Sequence, residues 1–143
     1  MIIDTIKYEE VNQNIGTGSV IIGSGIPNPQ NIDVSTATEY QKMYASFGIR
    51  DTLSPSDQVL FDDLVQKEEY AQIMELLTKN APYVMFTADA IITGTNIYRE
   101  CTINPGVNVI MEYQGDYGYC VIVANKFINN GKLYRRRSTA PPI

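Results

Sequence analysis

Arg135-Arg136-Arg137 is the densest run of like charge in the chain, and Tyr113, Tyr117, Tyr119 and Tyr134 stand close to it in sequence. Guanidinium groups grip carboxylates or phosphates through paired N–H donors. Tyrosine offers a broad, stiff ring with one polar end, which suits a protein interface and also lets a nucleobase stack. These seven residues are the candidate partner-binding set. The plainer use of the arginines is to keep an edge strand soluble.

The carboxylates point less clearly to chemistry. Asp89, Glu112 and Gln114, with Tyr113 beside them, would bind a divalent ion as a small nuclease-like enzyme does if adjacent strands brought them together, but no lysine accompanies them in sequence. Asp62-Asp63 are neighbours on an expected helix, where successive side chains splay by about 100° and do not grip one ion. Gly16-Thr17-Gly18-Ser19-Val20-Ile21-Ile22-Gly23 has the glycines of a phosphate loop without its Lys-Ser/Thr ending, and no lysine lies between Lys7 and Lys42. The chain has no histidine, which removes Ser-His-Asp and Cys-His catalysis and the commonest general base. Cys101 and Cys120 are too few for a disulfide framework or a structural zinc site. The expectation is a protein that is not an enzyme, with no catalytic residue, cofactor or metal.

Charge is divided along the 143 residues. Residues 1–116 hold all 16 acids and six of the 11 bases, a net −10, while residues 117–143 hold five bases and no acid, a net +5. An acidic body repels a phosphate backbone, so the basic end is expected to meet protein before nucleic acid. No apolar run approaches the ~18 residues that a membrane helix needs. The start, Met1-Ile2-Ile3-Asp4, lacks the pattern of a secretory signal, and a reducing, cytoplasmic setting is expected.

The elements that would position these groups follow from caps and periodicity. Residues 1–36 are rich in Gly, Asn and Pro, with strand-like Ile2–Tyr8 and Val20-Ile21-Ile22, and read either as two edge strands with a loop or as an arm laid on another subunit. Thr36-Ala37-Thr38-Glu39 forms a capping box that predicts a helix over 37–47, stopped by Gly48. Ser54-Pro55 starts a second helix. The apolar stripe of Leu60, Phe61, Leu64 and Val65 points roughly 200° away from that of Tyr70, Ile73, Met74 and Leu77. A break near 66–69 resolves this, giving helices over about 55–65 and 69–79. Strands are predicted at 83–87, 90–93, 97–103, 107–113 and 119–128, with turns at Gly94-Thr95-Asn96 and Gln114-Gly115-Asp116. The doubly apolar 119–128 reads as a central strand. Asn130-Gly131 predicts a type I′ hairpin that sets Ile128 against Leu133, Phe127 against Tyr134 and Lys126 against Arg135.

Together these predict a single α+β domain. It has an extended N-terminal arm or edge strands at 1–36, two or three short helices at 37–80, an antiparallel β-meander at 81–137 and a tail at 138–143. The expected function is that of a structural subunit joined to copies of itself or to other proteins through terminal arms and charge complementarity, with no membrane involved. A nucleic-acid-binding module built on Arg135–Arg137 with Tyr117, Tyr119 and Tyr134 is the second reading. An enzyme built on Asp89, Glu112, Tyr113 and a divalent ion is the third. The Asn- and Ile-rich composition with few charges resembles that of virion proteins such as phage head, neck or tail components, a likeness of composition alone.

Overall fold

The computed structural model describes residues 8–10, 17–24, 36–114 and 118–138 of the chain. Three α-helices lie between the second and third strands: α1 (Ala37–Ser46), α2 (Pro55–Gln66) and α3 (Tyr70–Thr78). Their ends are set locally, as expected. Thr36 Oγ1 accepts from Glu39 N–H at 3.2 Å, and Ser54 Oγ accepts from Asp57 N–H at 3.3 Å. The carboxylate of Glu39, expected to reach back to the cap, instead receives Lys42 Nζ at 3.2 Å. The break after α2 is a Schellman turn: Glu69 N–H reaches Leu64 O at 2.9 Å and Glu68 N–H reaches Val65 O at 3.0 Å. Glu68 stands at the left-handed position of that turn, with φ 56°.

The eight described strands, two before the helices and six after them, are β1 (Tyr8–Glu10), β2 (Thr17–Ser24), β3 (Tyr83–Phe86), β4 (Ala90–Ile92), β5 (Gly94–Ile103), β6 (Asn108–Gln114), β7 (Tyr119–Asn129) and β8 (Lys132–Ser138). They form two four-stranded sheets, ordered β1-β8-β6-β4 and β2-β7-β5-β3. From β3 to β8 the chain crosses to the other sheet at every connection. Each strand then lies parallel to the strand two before it: β3 beside β5, β5 beside β7, β4 beside β6 and β6 beside β8. This is the course of a flattened parallel coil. β1 and β2 pair antiparallel, on β8 and β7, and close one end of it.

The expected antiparallel meander is therefore overturned, and the hairpin at 130–131 with it. β7 and β8 belong to different sheets. Phe127 and Ile128 pair with Cys101 and Thr102, whereas Leu133 and Tyr134 pair with Val109 and Ile110. Lys126 lies opposite Glu100 and Arg135 opposite Met111, so the expected like-charge pair is not formed. A type I′ turn needs positive φ at both central residues. Among the described residues positive φ occurs at Gly48, Glu68, Gly94 and Gly106, not at Asn130 or Gly131. The Asn-Gly pair instead makes an arch from sheet to sheet, stacked on the arch before it. Asn130 N–H donates to Ile103 O and Lys132 N–H to Val107 O, both at 2.9 Å. A Cβ on Gly131 would lie 2.4 Å from Val107 O and 2.5 Å from Asn104 O, so glycine is needed here for close approach. The turn expected at 94–96 is also strand: β5 begins at Gly94, with only Thr93 between it and the end of β4.

The core has two compartments. Between the sheets lie Tyr98, Cys101, Ile103, Val109, Met111, Cys120, Ile122, Phe127 and Leu133, with Ile21 from β2. The other face of the β2-β7-β5-β3 sheet carries Val121 and Val123 under Met43, Tyr44, Phe47, Phe61, Leu64, Val65, Ile73 and Leu77 of the helical segment. β7 is thus buried on both faces, as its composition predicts. The helices cover one sheet. The outer face of the β1-β8-β6-β4 sheet has no helical layer among the described residues. Among these residues no helix is long and apolar enough to cross a membrane.

Candidate protein-interaction surface

The uncovered sheet presents alternate residues of β4, β6 and β8 outward. Register places Ile91, Ile110 and Tyr134 in one row across its three strands. Asn108 and Lys132 form the row on one side, and Glu112 and Arg136 the row on the other. A groove of about 770 Å³ runs here, lined by Asp89, Ala90, Ile91, Asn108, Ile110 and Tyr134. Its walls are mainly aliphatic and aromatic. Arg136 donates through Nε at 2.9 Å and through Nη2 to Oε2 of Glu112, closing that side with a paired charge.

The row runs out onto the end of the coil. β3 and β4 are the outermost strands of their sheets. Tyr83, Met85 and Ile91 on them are 72%, 61% and 56% exposed, high for large apolar side chains. Val84, Phe86 and Ile92 point to the inter-sheet core and are only half-buried, and among the described residues no further coil lies over them. From Asn80 to Ala88 there is no charged residue. Natural edge strands usually carry charge to block pairing, and β3 does not. Sequence reading missed these three residues as surface groups. The uncharged stretch was the available signal, but it reads equally well as an ordinary buried strand.

The seven residues of the candidate set are dispersed. Tyr134 and Arg136 share the uncovered face. Strand alternation turns Arg135 and Arg137 to its opposite side, where they are register partners of Met111 and Tyr113. The arginine run therefore does not aim three cations at one ligand. Tyr119 sits on the other sheet, its ring 5.2 Å from that of Phe47 and its hydroxyl 3.4 Å from Thr95 Oγ1. Tyr117 lies outside the described residues, as do 1–7, 11–16 and 25–35 of the expected arm and 139–143 of the tail. The described parts of the arm pair with their own chain. β1 lies in register with β8, Glu9 opposite Arg135 and Glu10 opposite Tyr134.

The proposed carboxylate cluster does not assemble. Asp89 Oδ1 accepts from Asn108 N–H at 2.8 Å, capping the start of β6. Glu112 lies four residues further along β6, about 13 Å away at strand rise, and is held by Arg136. Among the described residues no three Cys, Asp or Glu side chains are grouped to hold a metal. Cys101 and Cys120 are fully buried free thiols, and burial pushes both up to about 12, far from the reactive thiolate. Cys120 Sγ instead donates to Ile92 O at 3.4 Å. Burial likewise pushes the Tyr98 phenol between the sheets up to about 12. What the surface offers is shape and apolar contact, with one rigid ion pair beside it.

Comparison with family models, with curated proteins and with solved structures finds no match for this chain.

Proposed function

We propose that this protein is a non-catalytic structural subunit that assembles with further copies of itself, and through them with other protein chains. One observation carries the reading. Among the described residues the coil is roofed by helices on one sheet and bare on the other, and the bare sheet's apolar row, Ile91–Ile110–Tyr134, continues onto an exposed edge whose strands carry no charge. Contiguous apolar surface of this kind is costly in water and marks an interface. Burying a side chain the size of Ile, Met or Tyr is worth roughly 1.5–3 kcal/mol, more than an exposed ion pair contributes. Apolar contact, rather than the charge division along the chain, is thus the main adhesive in this reading. A virion, such as a phage head, neck or tail, is the assembly that the composition favours.

Light scattering behind size exclusion tests the proposal. The mass is expected to exceed the 16.0 kDa of one chain and to rise with concentration. Ile91→Lys, placed where the row meets the edge, is expected to lower it. A constant 16.0 kDa for the wild-type chain across the accessible concentration range overturns the reading.

A further inference from the structure

We infer that the open end of the coil is an interface with a second copy of this chain. In it, β3 pairs antiparallel with β3 of the copy, and β4 with β4, about a two-fold axis normal to the sheets. The inference rests on the assembly reading and names its contact. A stacked β structure needs a cover on its last coil, since that coil has a neighbour on one side only. At the other end β1 and β2 run antiparallel on β8 and β7 and supply that cover. At this end Val84, Phe86 and Ile92 line an inter-sheet core that stops half-covered, and Tyr83, Met85 and Ile91 stand exposed beside them.

The geometry selects the occupant. A full cover must offer two strands at once, one for each sheet, separated by the ~10 Å of packed sheets. A single extended peptide supplies one. A second copy turned by 180° about an axis through both edges supplies both, in the same spacing, because its edge is the same edge. The contact is isologous and closes as a dimer.

Charge favours the same occupant. The chain carries −5 overall, and like charges facing across an edge would oppose pairing. The edge has no charge from Asn80 to Ala88. Lys79 and Arg99 beside it are matched within the chain, with Asp57 at 3.1 Å and with Glu75 at 2.5 Å; Asp89, between β3 and β4, accepts from Asn108 N–H, and the two-fold sets it at the opposite end of the seam from its copy. Arg99 N–H also donates to Pro82 O at 2.8 Å, holding the start of β3 against β5. Two edge strands that carry no charge of their own meet their copies with little repulsion.

Light scattering on the full chain, combined with one cross-link, tests this. The wild type is expected at twice 16.0 kDa, and Tyr83→Lys/Met85→Lys at 16.0 kDa with unchanged far-UV circular dichroism. Single Met85→Cys, near the axis, is expected to form a disulfide-linked dimer under mild oxidation of the folded protein, and the folded wild type under the same oxidation is expected to form none. Cys101 and Cys120 do not confuse this readout, because both are buried. An oligomer whose mass the double lysine variant leaves unchanged, or whose Met85→Cys form does not cross-link, overturns the two-fold edge and leaves the assembly reading standing. A trimer or an open-ended series likewise overturns the two-fold. A wild type that stays at 16.0 kDa overturns both.

Discussion

Glu112 of β6 and Arg136 of β8 are register partners on adjacent parallel strands, and the guanidinium donates from both Nε and Nη2 to the same carboxylate oxygen. Their side chains are only 22% and 12% exposed, so water screens the pair weakly. Such a pair forms only if β8 lies beside β6. A hairpin of β7 and β8 would set Arg136 against Asn125 instead.

A double-mutant cycle of Glu112→Gln and Arg136→Gln therefore tests the strand order as well as the bond. Each single change is expected to cost about 1–3 kcal/mol, with a coupling of about 1 kcal/mol or more between them. Urea unfolding of the four proteins measures it. Additive costs, with no coupling, would exclude the parallel order.

The arch at 130–131 makes a second distinction. Gly131 has no room for a methyl group against Val107 O and Asn104 O, so Gly131→Ala is expected to cost about 1–3 kcal/mol. Asn130 is exposed and has no positive φ. Asn130→Ala is therefore expected to stay within about 0.5 kcal/mol of wild type. A type I′ hairpin would penalise both, since both of its central residues need positive φ. Thermal melts of the two variants decide between the turns.

The helical layer gives a pH signature. Arg50 Nε donates to Asp62 Oδ1 at 2.9 Å and Nη2 to Oδ2 at 2.7 Å. The side-chain hydrogen bond from Arg50 holds the Asp62 carboxyl below its ordinary value of 3.8. A group whose folded value is depressed contributes stability that is complete above its unfolded value. That stability is lost as pH falls through the folded one. The melting temperature of Asp62→Asn is thus expected to lie below wild type at neutral pH, with the gap constant down to about pH 5. The gap then closes below the ordinary aspartate value of 3.8. The effect is small, because Asp62 is 40% exposed and Arg50 31%. A gap that widens on acidification would contradict the assignment.

Local sequence determined the helices of this protein almost completely. Thr36, Ser54-Pro55 and the two opposed stripes around 66–69 act over three or four residues, through cap hydrogen bonds and the 3.6-residue period, and the observed ends agree with them. The positions of β3 to β8 were also legible, because a strand needs only a run of apolar or alternating residues. Which strand lies beside which was not. Ile128 pairs equally well with Leu133 or with Thr102, and nothing within the strand distinguishes them. The choice was made by contacts some 25 residues apart in sequence, where Gly131 packs on the arch of Asn104 and Val107. The same holds for the site. Tyr134 and Arg136 were visible as types suited to an interface, but separating Arg136 from Arg135 and Arg137, and exposing Tyr83, Met85 and Ile91, depends on which sheet and which end of the coil each occupies. Exposure is a property of neighbours, and only the tertiary structure decided who the neighbours are.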